Sequence, residues 1–138
     1  MDETLLDTDT LSEILKGKNA HVVEVGDRYL AEHGQFAFSA ITFYEIYRGL
    51  RATRAVRSLS KFLKLADESE ILAVSMPVLT RAADLWVDAL QGGYPRNDAD
   101  LLIAATAVEA RRVLATGNTA HFGWIHGLSL ADWRSTSP

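Results

Sequence analysis

Short apolar segments alternate with longer amphipathic segments along most of this chain, and this alternation limits the folds that it can adopt. The predicted strands cover residues 3–7, 36–39, 71–74 and 113–116, with a further short segment at residues 128–130. Strands that alternate with helices form a parallel sheet covered on both faces. The sequence therefore predicts a three-layer α/β/α domain, with a four- to five-stranded parallel sheet flanked by helices.

Apolar residues at helical spacing predict the helices between these strands. The predicted helices cover residues 10–17, 21–33, 40–52, 55–67, 77–90 and 99–112. The helix at 40–52 has the clearest apolar stripe, formed by Phe43, Ile46, Tyr47 and Leu50. A capping box of Thr10 and Glu13 is expected to start the first helix, and Asp98 is expected to cap the last one.

Composition and length restrict the classes of protein that fit. A chain of 138 residues fits one domain, which we expect to span residues 1–138. The absence of cysteine excludes disulfides and thiolate metal sites. No apolar run reaches the roughly 18 residues of a membrane span, and the first residues lack the pattern of a secretory signal, so we expect a cytoplasmic protein. The net charge of −4 opposes nucleic-acid binding unless a metal and a local basic patch offset it.

Oxygen-bearing side chains stand near the predicted ends of strands. Asp7 closes the first strand, Glu45 lies in the helix after the second, Asp100 lies early in the helix before the fourth, and Asn118 follows the fourth. Ligand sites of parallel α/β sheets lie outside the carboxyl ends of the strands. Carboxylate and amide oxygens favour Mg²⁺ or Mn²⁺, which can promote phosphodiester hydrolysis. These residues are therefore candidate ligands of such an ion.

Each candidate also has a structural interpretation. Asp7 can be a turn residue and Asn118 a cap, while Glu45 lies opposite the apolar stripe of its helix, as an ordinary exposed glutamate would. Asp98 and Asp100 would point about 200° apart on one helix, so only one of them can face the site. We assign Asp98 to the cap and Asp100 to the site.

A basic stretch without acidic residues runs from residue 48 to residue 64. It contains six cations, which are Arg48, Arg51, Arg54, Arg57, Lys61 and Lys64. The last three share one helical face, within about 60°. The stretch is either a solvated helix surface or a surface that contacts phosphates beside the acidic pocket. Arg48, Arg57, Lys61 and Lys64 are the candidate RNA-binding residues.

Four segments, in order, resemble the PIN-domain family, and within it the VapC toxins of bacterial toxin–antitoxin systems. They read LLDTDTLS at 5–12, SAITFYEIYRG at 39–49, NDADLLIAATA at 97–107 and ATGNTAHF at 115–122. The ending GLSLADW at 127–133 is also similar. The resemblance covers essentially the whole chain.

The resemblance implies a function and assigns roles to the site residues. Asp7, Glu45 and Asp100 match the three core acidic ligands of the family. The fourth position falls on Asn118, whose neutral amide holds a divalent cation less strongly, and His121 stands where an acidic residue is frequent. The family implies Mg²⁺- or Mn²⁺-dependent cleavage of structured RNA such as tRNA. It also implies a small VapB-like antitoxin partner and a homodimer.

Two other functions are compatible with these residues. Asp7 and Asp9 resemble the nucleophile motif of haloacid-dehalogenase phosphatases. That family needs a phosphate-binding lysine after a later strand, but every lysine of this chain precedes the third predicted strand. The alternative from another class is a non-catalytic module whose acidic pocket holds only a metal or a partner's arginine.

Overall fold

A computed structural model describes residues 1–135, so the last three residues of the predicted domain, 136–138, lie outside the described part. The strands are β1 (Thr4–Leu6), β2 (Ala37–Ser39), β3 (Glu70–Leu72), β4 (Val113–Ala115) and β5 (Leu130–Ala131). The helices are α1 (Thr8–Lys16), α2 (Ala20–His33), α3 (Ala40–Ala52), α4 (Val56–Asp67), α5 (Met76–Gly92), α6 (Asp98–Ala110) and α7 (Thr119–Phe122).

All five strands form one parallel sheet in the order β3-β2-β1-β4-β5. The chain adds β2 and β3 on one side of β1, then places β4 and β5 on its other side. The order therefore reverses between β1 and β4, and ligand sites of parallel sheets lie at such a switch point. The predicted parallel sheet is confirmed.

The helices cover both faces of the sheet because consecutive strand residues point to opposite sides. Leu5 and Leu114 pack on one face against α5, α6 and α7. Their neighbours Leu6 and Ala115 pack on the other face against α1, α2, α3 and α4. The central strands β1 and β4 thus contribute to two hydrophobic cores, and the predicted three-layer arrangement is confirmed.

Two predicted helix caps are wrong. Asp7, not Thr10, caps α1: its carboxylate accepts a hydrogen bond of 2.7 Å from the Thr10 amide. The Thr10 hydroxyl instead donates to the Ala115 carbonyl of β4, which attaches α1 to the sheet. Asn97, not Asp98, caps α6 and accepts from the Asp100 amide at 3.1 Å. In both cases an earlier side chain reaches the exposed amides of the first turn.

None of the helices in residues 1–135 combines the length and the apolar character that a membrane crossing requires.

Candidate active site

Asp7 lies at the carboxyl end of β1, beside the switch point of the sheet. Its side chain is only 6% exposed. Burial raises the pKa of the Asp7 carboxyl above its ordinary value, although hydrogen bonds from Thr116 and Thr10 act in the opposite direction. Thr116 directly follows β4, so the two central strands both contribute to the surroundings of this carboxyl.

Glu45 faces the beginning of α1 rather than open solvent. Its carboxylate accepts a 2.7 Å hydrogen bond from the Thr8 hydroxyl, which also lies 3.1 Å from the hydroxyl of the buried Thr42. These contacts join α3 to the residue that follows Asp7. The interpretation of Glu45 as an ordinary exposed glutamate is therefore wrong, because α1 packs over its position on α3.

Asp100 lies in the first turn of α6, within electrostatic reach of the other acids. Burial is the largest cause that raises the pKa of this carboxyl; His121 lowers it, and the charges of Glu45 and Asp9 raise it further. His121 Nδ1 is 3.9 Å from Asp100 Oδ2. The structure thus brings acids from three separate segments, after β1, on α3 and on α6, to one edge of the sheet.

Asp98 lies away from this group, although only one residue separates it from Asp100. It is exposed and borders a surface depression with Ala82, Trp86 and Leu101. The two aspartates diverge as the helical rotation of about 200° predicts. Asp100 is therefore the acid of α6 that accompanies Asp7 and Glu45, whereas its role as a ligand stays a prediction.

Asn118 follows β4 and precedes α7, close to the same edge. Its backbone amide donates to the Thr116 hydroxyl at 3.0 Å. Its side chain forms no capping hydrogen bond with α7. The structure thus places the amide side chain near the exit of β4 without giving it a structural partner at the helix, and its role as a weaker ligand also stays a prediction.

The donor set suits a hard divalent cation. Asp7, Glu45 and Asp100 offer carboxylate oxygens, and Asn118 offers an amide oxygen, the donor types that Mg²⁺ and Mn²⁺ prefer. A cation would also offset the repulsion that raises the pKa of Asp100. Within residues 1–135, no three acids or histidines come close enough together to form a complete metal site. The donors fit the ion by chemical type and share one edge, but they do not converge on one point.

The basic candidates have different surroundings. Arg48 lies over the ring of Tyr44, 4.9 Å from its centroid, on the same helix as Glu45. Arg57 and Lys64 are exposed on α4. Lys61 Nζ donates to the Leu15 carbonyl in the last turn of α1, where a cation also interacts favourably with the helix dipole. Lys61 therefore holds α4 against α1, and its contribution to RNA binding stays a prediction.

Arg134, which no sequence pattern singles out, reaches the carboxyl end of β4 from the end of the described chain. Its Nη2 donates to the Gly117 carbonyl. No local pattern pairs these residues, because the contact spans 17 positions and depends on the return of the chain after β5.

Comparison with known proteins identifies the family. Residues 4–122 match the family model described as the PIN domain. The chain is also 25% identical over 130 residues to the tRNA(fMet)-specific endonuclease VapC of Shigella flexneri, an alignment that covers 94% of this chain and 96% of that protein.

Solved structures share the fold. VapBC2 from Rickettsia felis, bound to a promoter DNA fragment, matches with a TM-score of 0.84 at 24% identity, over 94% of this chain and 98% of that one. A toxin–antitoxin complex from Klebsiella pneumoniae matches with a TM-score of 0.72 at 24% identity, over 94% and 97% of the two chains. Because the family match spans residues 4–122 of 138, this chain belongs to the PIN-domain family.

Proposed function

We propose that residues 1–138 act as one PIN domain with metal-dependent endoribonuclease activity, as the VapC-like toxin of a toxin–antitoxin pair. One observation carries this proposal: Asp7, Glu45 and Asp100 lie along one edge of the sheet, at its switch point, in a chain of this family. The relative from Shigella flexneri is an endonuclease specific for a tRNA, which supports structured RNA as the substrate. An RNA substrate also agrees with the expected cytoplasmic location.

Asp7, Glu45 and Asp100 would hold Mg²⁺ or Mn²⁺, with Asn118 as a weaker ligand. When bound, such an ion supplies Lewis-acid stabilisation of the phosphodiester and an activated water. Thr8 orients the Glu45 carboxylate through its hydrogen bond. A carboxylate of this group would also accept a proton from the attacking water as a general base.

Cations beside the acidic edge would bind the RNA backbone. Arg48 lies one helical turn after Glu45, and Arg57 and Lys64 extend the positive surface along α4. Phosphate contacts of this kind fix the position of a nucleic acid without reading its sequence. They also offset the net charge of −4, which otherwise opposes RNA binding.

The test is the incubation of purified protein with a tRNA pool and with DNA of matched sequence, in Mn²⁺ or in excess chelator. We expect endonucleolytic fragments only from RNA and only with the metal. RNA binding without fragments would support the non-catalytic module instead. The phosphatase alternative is dropped, because the family match is to the PIN domain.

The antitoxin would bind a groove between α1, α3 and α4. The groove encloses about 170 Å³ and is mainly apolar, with Leu15, Ile46 and Leu50 on its walls and Lys61 at its rim. Solved structures with this fold include a toxin–antitoxin complex, which supports a segment of an antitoxin as the occupant.

A second copy of the chain would cover the outer face of α5. This face is apolar and exposed along most of the helix, within an arc of about 100°, and consists of Met76, Leu79, Trp86, Val87 and Leu90. Contiguous exposed apolar surface of this kind is typical of protein interfaces. We therefore propose a homodimer formed through α5.

The substitution Val87→Arg tests this dimer. Val87 is 44% exposed, so arginine should be tolerated by the monomer but should be costly in a desolvated interface. We expect sedimentation to give twice the 15.2 kDa chain mass for the unsubstituted protein and for Asp88→Arg, which lies on the polar side of α5, and a single chain mass for Val87→Arg. A dimer that survives Val87→Arg would exclude this face as the interface.

A further inference from the structure

Arg134 is held in a fixed position at the rim of the acidic edge. Its Nε donates to Asp132 Oδ1 at 3.3 Å, and its backbone amide donates to the same oxygen at 2.9 Å. Its Nη2 donates to the Gly117 carbonyl. The guanidinium is therefore fixed at two of its nitrogens. It lies against Gly117, the residue after Thr116, whose hydroxyl contacts the Asp7 carboxyl.

Gly117 makes this position possible. A Cβ atom at residue 117 would lie 2.3 Å from Arg134 Cζ and 2.4 Å from its Nη2. Any larger residue would therefore push the guanidinium away from the exit of β4. The clash would involve the far end of a flexible side chain, so the arginine can move while the fold remains intact.

The surroundings of Arg134 connect it with the acidic site. Asp132 is the main cause that raises the pKa of the Arg134 guanidinium, and the charges of Glu13 and Asp7 act in the same direction. The side chain is 49% exposed. None of the hydrogen bonds within residues 1–135 uses Nη1, so this nitrogen keeps its donors for a ligand.

A small pocket of about 150 Å³ lies between Arg134 and α1. Lys16 and Ser12 stand on its α1 wall as a cation and a hydroxyl donor, together with Asp9 and Glu13. The two acids make the pocket unattractive to a free phosphate ion. A phosphate that belongs to a longer RNA strand is different, because its neighbours on the strand supply part of the binding energy.

We propose that Arg134, presented over Gly117, contacts an RNA phosphate next to the scissile one and so positions the strand over the carboxylates. This inference rests on the proposed ribonuclease function and adds a binding site on the β4 side of the acidic edge, opposite the basic stretch of α3 and α4. A guanidinium suits this task, because it stays charged and its Nη1 carries two N–H donors that can reach a phosphate. Arg134 is a positioning residue in this arrangement, and the chemistry stays with the acids.

The substitution Arg134→Gln tests the proposal through binding rather than through chemistry. We expect KM for RNA to rise roughly tenfold while kcat changes by less than about twofold. The slope of log affinity against log salt should fall by about 0.7 to 0.9, which corresponds to one lost phosphate contact. Arg28→Gln is the matched control: it removes the same charge from α2, whose Tyr29 contacts Thr4 at the other end of β1, and should change none of these values.

A second substitution, Gly117→Ala, keeps the charge and moves the guanidinium. It should raise KM in the same direction as Arg134→Gln, with a melting temperature close to that of the unsubstituted protein. Unchanged KM and salt slope in both variants, in a protein that cleaves RNA, would overturn the role of Arg134 alone. Failure of the unsubstituted protein to cleave RNA would instead overturn the proposed function on which this role rests.

Discussion

Replacing Asp100 by asparagine is expected to lower kcat for RNA cleavage by at least about a hundredfold. The metal that Asp100 is proposed to hold would supply several kcal/mol of transition-state stabilisation, and each 1.4 kcal/mol is about tenfold in rate. The same change at Asp98 is expected to leave kcat within about twofold of the original value. The two residues lie in the first turn of one helix, and only Asp100 is near Glu45 and Asp9.

This pair of variants separates chemistry from folding. Both substitutions remove one negative charge from the first turn of α6, so their effects on the helix dipole are similar. Burial makes the charged form of Asp100 unfavourable, so the neutral asparagine should not lower the free energy of unfolding. Steady-state kinetics with Mn²⁺, together with thermal unfolding, measures both effects. Equal activity of the two variants would contradict the choice of Asp100 over Asp98.

Replacing Phe62 by alanine is expected to lower the free energy of unfolding by about 3 to 5 kcal/mol, the usual cost of removing a buried phenylalanine. The Phe62 side chain is fully buried. Its ring centroid lies 6.4 Å from that of Phe38 on β2 and 5.4 Å from that of Phe43 on α3. Phe62 therefore attaches α4 to the sheet and to the helix that carries Glu45.

The next residue is the control for Phe62. Leu63 is 41% exposed, so Leu63→Ala should cost less than about 1 kcal/mol of stability. Chemical denaturation of the two variants measures the difference. Similar unfolding midpoints would mean that Phe62 does not carry the packing of α4.

Much of the fold follows from local sequence patterns. Residues 40–52 were predicted as a helix, and α3 spans Ala40–Ala52, because a strong apolar stripe and flanking turn residues determine both of its ends. The strands were located to within a few residues because each is a short apolar run between helical segments. The caps of α1 and α6 were misplaced, since several polar residues near each start can accept the same amide hydrogen bonds.

The site was less accessible to sequence analysis than the fold. Strand ends identified Asp7, and helical rotation selected Asp100, but nothing local distinguishes Glu45 from an exposed glutamate. Its environment comes from the Thr8 hydroxyl, 37 positions away. Lys61 at the Leu15 carbonyl, 46 positions away, is a similar case. Such contacts depend on how the helices pack, which periodicity does not encode.

The dependence of the RNA cleavage rate on Mn²⁺ concentration, compared between the unsubstituted protein and Asp7→Asn, tests the carboxylate site most directly. Asparagine is as good a helix cap as aspartate, so this variant should keep α1 intact and lose only the charge. We predict no cleavage in excess chelator, a saturable rise in rate with Mn²⁺ for the unsubstituted protein, and almost no rise for Asp7→Asn. Cleavage in the chelator, or the same Mn²⁺ dependence in both proteins, would contradict a metal-dependent ribonuclease site built on Asp7.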